Sequence, residues 1–300
     1  MTSTSKLLLS SGRQLAFRRY GKPGGRPVIF AHGNLNSRLF EPAWNQTESL
    51  TAAAGANVIA VDRPGVGLSD LNDPHSNSNS RTYLDFANDM RQLADHLELE
   101  ASGYSMVGFS SGGPHALACA AARLPGLESV ALVSSDAPYY KMNMNEKLFG
   151  AGAVDLELGM EMAEKNAAGM RKGYSKLEKE GRAAAANADL DAAILQGFAG
   201  PGSDSVLEAA PEWGFDMEME KGGGGPALRI WHGTADDVVP VEAGRYLAAE
   251  CAGFDVAAVE AEGGGERGRH RYYEVEGENH TMVRRLWSEI LRDVIAAAEK

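Results

Sequence analysis

The chain has 300 residues and a mass of 31.9 kDa, so it can bury a large core and is too long for a peptide-sized or disulfide-stapled scaffold. Its 29 basic and 41 acidic residues give a net charge of −12, which disfavours nucleic acid and anionic lipid as partners. No segment approaches the ~20 apolar residues of a membrane-spanning helix, and the apolar run at residues 7–9 is too short for a signal peptide. Two isolated cysteines, Cys119 and Cys251, suit a reducing compartment. These features predict a soluble cytoplasmic protein.

The first half of the chain alternates predicted strands and helices. Apolar runs bounded by turn residues predict strands, and apolar residues at three- and four-residue spacing predict helices. In chain order, the predicted elements are a hairpin at 7–20, a strand at 28–31, a helix at 44–54, strands at 57–61 and 104–108 separated by a helix at 83–97, a helix at 114–123 and a strand at 129–134. This alternation predicts a mostly parallel sheet with helices on both faces.

The alternation stops at residue 137, and the composition up to residue 225 turns to Ala, Met, Glu and Lys with helical spacing. We interpret residues 137–225 as a helical cap, or lid, inserted into a core formed by residues 1–136 and 226–300. The core pattern then resumes with strands at 227–231 and 272–275 and helices at 241–252 and 283–298. The glycine-rich stretch at 263–269 is predicted to be a surface loop.

A G-x-S-x-G motif lies between a predicted strand and a predicted helix. It consists of Gly108, Phe109, Ser110, Ser111 and Gly112, and this motif places a serine on a strained turn where the serine is exposed as a nucleophile. The positions two before and two after the nucleophile approach each other and must be small. Ser110 is flanked by glycines in this way, whereas Ser111 would be flanked by Phe109, so Ser110 is the predicted nucleophile.

A nucleophilic serine needs an imidazole to remove its proton and a carboxylate to orient that imidazole. Asp236 follows a predicted strand and is the favoured acid, with Asp237 beside it and Asp136 after another strand as alternatives. The expected order of serine, acid and histidine leaves two histidines after the acid, His270 and His280.

His280 is favoured as the base because it follows the last predicted strand, whereas His270 lies in an arginine- and glycine-rich stretch. His96 and His115 fall inside helical patterns and are interpreted as surface or packed side chains. The backbone N–H groups of Ser111 and Asn34 are predicted to form an oxyanion hole, with Gly33 allowing the backbone to approach closely.

At these positions the chain resembles the capped type of the α/β-hydrolase superfamily. The resemblance is carried, in family order, by His32-Gly33, the segment 62–69 (Asp-Arg-Pro-Gly-Val-Gly-Leu-Ser), the motif 108–112, the segment 233–240 and His280. It implies an α/β fold with an eight-stranded sheet, an active site at the carboxyl ends of the strands and a lid inserted after strand 6. We expect the reaction to need neither a metal nor an organic cofactor.

The predicted function is hydrolysis of a small, largely apolar carboxylic ester by a Ser-His-Asp triad through an acyl-enzyme. Methionines are soft and suit either an apolar pocket or packing between helices, and the cap holds most of the eleven: Met142, Met144, Met160, Met162, Met170, Met217 and Met219. The alternatives are a non-hydrolytic binding protein or receptor, and another chemistry on the same fold: thioester, amide or carbon–carbon cleavage, a lyase reaction or cofactor-free halogenation.

Overall fold

A sheet of nine strands runs through the residues that the computed structural model describes, which are 4–71, 81–219 and 224–299. The strands are β1 (Thr4–Leu8), β2 (Gln14–Gly21), β3 (Arg26–Ala31), β4 (Ala56–Val61), β5 (Tyr104–Phe109), β6 (Leu127–Val133), β7 (Ala227–Gly233), β8 (Gly264–Arg267) and β9 (His270–Val275). Their order in the sheet is β1-β2-β4-β3-β5-β6-β7-β9-β8. All pairings from β4 to β9 are parallel, and the three outer pairings are antiparallel. The predicted mostly parallel α/β sheet is confirmed.

The sheet has nine strands where eight were expected, and the additional strand is β8. It lies in the glycine-rich stretch predicted to be a surface loop, so that prediction was wrong. The segment Gly-Gly-Glu-Arg has little intrinsic strand preference, and it becomes a strand by pairing antiparallel with β9 at the sheet edge. A short helix that was also not predicted precedes it.

Helices cover both faces of the sheet. They are α1 (Thr47–Ala53), α2 (Tyr83–His96), α3 (Leu99–Ser102), α4 (Gly112–Ala121), α5 (Asn145–Phe149), α6 (Leu156–Tyr174), α7 (Ala183–Ala193), α8 (Ala199–Ala209), α9 (Val241–Ala252), α10 (Val256–Glu262) and α11 (Val283–Ala298), with 3-10 turns at Trp44–Gln46 and Ser175–Glu180. The bounds of α9 and α11 agree with the prediction. A capping box between Thr82 and Asp85 begins α2.

The core consists of two apolar layers, one on each face of the sheet. Successive strand residues point to opposite faces, and so Met106 of β5 packs in one layer while Val107 packs in the other. The first layer is closed by α2, α4 and α9, and the second by α1 and α11. This arrangement leaves the ends of the central strands free to carry functional side chains.

The described residues between β6 and β7 form helices and no strand, as predicted for this segment. Residues 222–223 of the predicted flexible glycine run lie outside the described residues. Five methionines of residues 137–225 pack in or against apolar clusters: Met142, Met144, Met170, Met217 and Met219. For these five methionines the structure therefore supports packing between helices, and not the lining of an apolar pocket. In the part of the chain described, no helix has the length and apolarity needed to cross a membrane.

Candidate active site

Three polar side chains meet at the carboxyl edge of the parallel strands. Ser110 follows β5, Asp236 lies in the loop after β7, and His280 lies in the loop after β9. The Ser110 Oγ is 3.2 Å from the His280 Nε2, and the His280 Nδ1 is 3.1 and 3.0 Å from the two carboxylate oxygens of Asp236. We call these three residues the triad. The parallel topology brings them together because parallel strands end at one sheet edge.

The turn that carries Ser110 is sterically tight. Ser110 has φ +52°, in the left-handed region that residues other than glycine rarely occupy. A Cβ on Gly108 would lie 2.4 Å from the carbonyl oxygen of Gly112, and a Cβ on Gly112 would lie 2.1 Å from the carbonyl oxygen of Ala31. Both positions therefore require glycine, and the resulting turn projects the serine between strand and helix.

We expect Gly112→Ala to destabilise the fold by about 1–3 kcal/mol, because its new methyl group meets rigid backbone. Gly169→Ala is the matched control: Gly169 lies inside α6 with nothing within 4 Å of its Cβ position. That substitution should stabilise by about 0.5–1 kcal/mol through helix propensity. Urea unfolding of both variants measures the difference, and equal stabilities would contradict the close approach at Gly112.

The His280 ring is held in one orientation. Its Nδ1 faces the Asp236 carboxylate, which accepts a hydrogen bond and so keeps the hydrogen on Nδ1. The Nε2 lone pair is then directed at the Ser110 hydroxyl. The ring also packs against Phe109, with 5.3 Å between ring centroids. Nε2 is therefore placed to accept the Ser110 proton.

The Asp236 carboxylate is fully buried and well supplied with donors. Its Oδ1 accepts backbone hydrogen bonds from Val238 (3.0 Å) and Val239 (2.9 Å) as well as facing His280. Burial by itself raises the pKa of Asp236, but the hydrogen bond from His280 and these N–H groups outweigh burial, and the pKa lies below its ordinary value. Asp236 is thus an anion at neutral pH.

The alternative acid Asp237 and the other histidines considered do not join the triad. Asp237 is exposed and Asp236 is the aspartate bonded to His280. His270 is buried at the start of β9, where its Nδ1 accepts a hydrogen bond from the Leu228 N–H. His115 is buried in α4 against the Ser111 carbonyl, and His96 is exposed.

A cluster of buried carboxyl groups lies beside the triad. Asp136, three residues after β6, accepts a hydrogen bond from the Tyr139 hydroxyl, and Glu208 comes from α8. Burial raises the pKa of Asp136 and raises that of Glu208 well above its ordinary value, and hydrogen bonding to the Ser111 side chain offsets part of both shifts. The Ser111 hydroxyl is thus engaged with these carboxyl groups, whereas the Ser110 hydroxyl is the one at His280.

The loop after β3 lies directly against Ser110. A Cβ on Gly33 would lie 3.1 Å from the Ser110 Cβ. The Asn34 side chain accepts a hydrogen bond from the Leu35 N–H at 2.8 Å and donates one to the Pro201 carbonyl of α8 at 3.3 Å. Asn34 and Ser111 therefore flank Ser110, from the loop and from the start of α4 respectively, and the binding of an oxyanion by their N–H groups remains a prediction.

Several polar residues around this loop were not predicted from the sequence. His32 is fully buried, and burial lowers its pKa well below the ordinary value; its Nε2 accepts a hydrogen bond from the Arg63 N–H. Arg63 in turn forms a buried ion pair with Asp204 of α8, at 2.9 Å. Arg63 belongs to the segment 62–69 that carries the family resemblance, but no sequence signal connects this segment to α8. Among the described residues, no group of three His, Cys, Asp or Glu side chains is arranged to hold a metal ion.

Comparison with known proteins assigns most of the chain to a family. A family model described as "Alpha/beta hydrolase family" matches residues 28–282. A non-heme chloroperoxidase of Streptomyces lividans is 27% identical over 241 residues, which cover 77% of this chain and 82% of that protein. A proline iminopeptidase of Arabidopsis thaliana is 29% identical over 104 residues, which cover 32% of this chain. That match spans only 24% of the iminopeptidase's own length.

The fold is also found among solved structures. An esterase from Exiguobacterium antarcticum superimposes with a TM-score of 0.65, and the match covers 99% of each chain at 19% sequence identity. At this level of identity the likeness establishes a shared fold and leaves the reaction open.

Proposed function

Because this chain belongs to the alpha/beta hydrolase family, we propose that it is a serine hydrolase that cleaves a small, largely apolar carboxylic ester through an acyl-enzyme. The observation that carries the proposal is the continuous series of hydrogen bonds from Ser110 through His280 to Asp236. A serine hydroxyl becomes a useful nucleophile when an oriented base is within hydrogen-bond distance, and the triad provides that arrangement.

In the first half of the reaction, the Ser110 Oγ attacks the carbonyl carbon of the ester as its proton passes to the His280 Nε2. The imidazolium that forms is stabilised by the Asp236 carboxylate. The carbonyl oxygen becomes an oxyanion, which accepts hydrogen bonds from the N–H groups of Ser111 and Asn34. His280 then gives its proton to the leaving alcohol as the carbon–oxygen bond breaks, and the acyl group remains on Ser110.

In the second half, water replaces the alcohol. His280 takes a proton from the water as the water oxygen attacks the acyl carbon, and a second oxyanion forms in the same place. Collapse of this intermediate releases the carboxylic acid and returns the proton from His280 to Ser110. Every proton transfer uses His280, and the mechanism requires no metal or organic cofactor.

We further propose that residues 137–225 form a cap over the triad and that residues 1–136 and 226–300 form the core. The support for this division is the set of contacts from α8 to the core near Ser110, including the bond from Asn34 to the Pro201 carbonyl. The carboxyl groups of the cap favour a neutral substrate over a polyanion. A cytoplasmic location is proposed because Cys119 and Cys251 are both buried free thiols.

The test is to incubate the purified chain with a fluorophosphonate probe and, separately, with p-nitrophenyl esters of increasing acyl length. We expect stoichiometric covalent labelling and ester turnover, because both depend on an activated serine. The turnover rates of the different esters show which acyl length the site accepts best. Absence of labelling and turnover, with tight binding of the esters, would contradict the hydrolase and support the binding-protein alternative.

A second candidate reaction is cofactor-free halogenation, which the similarity to a non-heme chloroperoxidase favours. If hydrogen peroxide replaces water in the second half-reaction, the product is a peracid in place of the carboxylic acid, and a peracid oxidises halide. Adding hydrogen peroxide and bromide to the assay with the p-nitrophenyl ester, which serves as the acyl donor, distinguishes halogenation from simple hydrolysis. Bromination that depends on the acyl donor and is lost in Ser110→Ala would favour this reaction, and bromination at the rate of the enzyme-free control would contradict it.

A further inference from the structure

A buried aspartate of the cap binds the loop that follows β3. Asp189 lies in α7 and is 3% exposed. Its Oδ1 accepts hydrogen bonds from the backbone N–H of Ser37 at 2.9 Å and from the Ser37 hydroxyl at 2.7 Å, and its Oδ2 accepts one from the Asn36 side-chain amide at 2.8 Å. The carboxylate of Asp189, a residue of the cap, thus binds two consecutive residues of a loop that belongs to the core.

The same loop is anchored in the cap by an apolar side chain. Leu35 is 3% exposed and packs in a cluster with three cap residues, Ala163, Ala167 and Leu190. Its backbone has φ +56°, a conformation that a leucine adopts only when its surroundings impose it. Leu190 is the neighbour of Asp189 in α7, and so one turn of this helix supplies both the apolar and the polar contact.

We propose that Asp189 is a positioning residue that holds residues 33–37 so that the Asn34 N–H points at the oxyanion. The inference rests on the proposed function, because it assigns Asp189 an effect on the transition state of that reaction. Asp189 acts through the loop and does not touch the substrate. Gly33, at the other end of the loop, lies against Ser110. A shift of the backbone at residues 36–37 would therefore move the Asn34 N–H, which is only two residues away.

The ionisation of Asp189 supports this role. Burial raises its pKa to about 7, and the hydrogen bonds from Ser37 and Asn36 offset part of that shift. The ionisable groups around it are Arg284 of α11, which lowers its pKa, Tyr174 at the end of α6, and Glu41, which lines the same small cavity. When the pKa of a carboxyl group is raised in the folded state, the fold becomes less stable as the pH rises towards that pKa, here about 7. A buried aspartate at this position therefore costs stability at neutral pH. Its ionised form, however, accepts all three hydrogen bonds from the loop.

The first test is the kinetics of Asp189→Asn and Asp189→Ala with the best p-nitrophenyl ester. We expect kcat to fall about 10- to 100-fold and KM to change less than about threefold, because an oxyanion contact acts in the transition state. Asp191→Asn is the matched control. Asp191 lies on the same helix but is exposed and pairs with Arg171 inside the cap, so its kcat should stay at the wild-type value.

The pH dependence separates positioning from general damage. The ratio of wild-type kcat to Asp189→Asn kcat removes every pH dependence that the two enzymes share. This ratio should be largest above pH 7, where Asp189 is ionised, and should shrink as the pH falls through 7. A ratio that does not vary with pH would contradict the role of the charge.

A donor–acceptor exchange provides the rescue. In the double variant Asn36→Asp/Asp189→Asn, the amide and the carboxylate of the 2.8 Å bond change places, and the amide oxygen at position 189 still accepts from Ser37. We expect the double variant to recover most of the kcat lost by Asp189→Asn. Hydrogen exchange of the Ser37 amide should be faster in the single variant and slower again in the double variant.

The outcomes distinguish this inference from the proposed function. Wild-type enzyme without labelling or turnover would overturn the proposed function, and the inference with it. An active wild-type enzyme whose Asp189 variants keep wild-type kcat would overturn the inference alone. Loss of kcat in Asp189→Asn without recovery in the double variant, while Ser37 exchange recovers, would also overturn it.

Discussion

Replacement of Ser110 by alanine is expected to lower kcat for ester hydrolysis at least ~10³-fold. The substitution removes the oxygen proposed to form the acyl-enzyme and leaves the His280 Nε2 without its partner at 3.2 Å. His280→Ala should cost at least as much, because the hydroxyl then has no base. Steady-state turnover of a p-nitrophenyl ester measures both losses.

The two substitutions should not be additive. Once the nucleophile is absent the base has no proton to accept, and the double variant Ser110→Ala/His280→Ala should therefore be no slower than either single variant. Ser111→Ala is the matched comparison, since it removes the neighbouring hydroxyl and keeps the backbone N–H proposed for the oxyanion. It should lose far less activity than Ser110→Ala. If Ser111→Ala were the more damaging change, Ser110 would not be the nucleophile.

The second large effect is expected at Asp236. Asp236→Asn keeps the size of the side chain but replaces the anion that fixes the hydrogen on the His280 Nδ1. The amide can stabilise the opposite tautomer, in which Nε2 carries a hydrogen and cannot accept one from Ser110. We expect kcat to fall on the order of 10⁴-fold, the loss known when the triad aspartate of a serine protease is changed to asparagine.

Asp237→Asn is the control for this prediction, because it makes the same chemical change at the adjacent residue, which is exposed. Its kcat should stay within about threefold of wild type, because the bonds to His280 come from Asp236 and are left in place. Asp136→Asn tests the remaining alternative acid and should cost much less than Asp236→Asn. Equal losses at 236 and 237 would contradict the assignment of the acid.

The Asp236 substitution also has an expected effect on stability. The pKa of Asp236 is lowered in the folded protein, so its ionised form stabilises the fold at pH values above the ordinary carboxyl pKa. This contribution is lost as the pH falls through the lower, folded-state pKa. Wild type should therefore exceed Asp236→Asn in stability at neutral pH, and the two should converge in acid. A difference that grows on acidification would contradict the sign of the shift.

Sequence patterns predicted the parts of the molecule that depend on local chemistry. The helices α9 and α11 have the predicted bounds, because their apolar spacing and flanking residues define them locally. The motif around Ser110 located the tight turn, because only glycines tolerate the observed backbone approach. The position of His280 after the last core strand was enough to separate it from His270, which the structure places inside a strand.

The parts that were missed depend on contacts between distant segments. β8 has no strand pattern of its own and exists through its pairing with β9. Asp189 stands in an alanine-rich helix whose sequence gives no reason to expect a buried charge, and its partners lie about 150 residues away in the chain. The carboxyl groups of Asp136 and Glu208 likewise come from segments about 70 residues apart in the chain and act on each other only in the folded protein. No local sequence pattern signals contacts of this kind.

Activation of Ser110 by His280 is tested by mapping the fluorophosphonate adduct with peptide mass spectrometry and by comparing labelling rates in wild type and His280→Ala. We expect the adduct on the Ser110 side chain and a labelling rate that falls at least ~10³-fold without His280. An adduct on Ser111 or another residue, or an unchanged rate in His280→Ala, would contradict this activation.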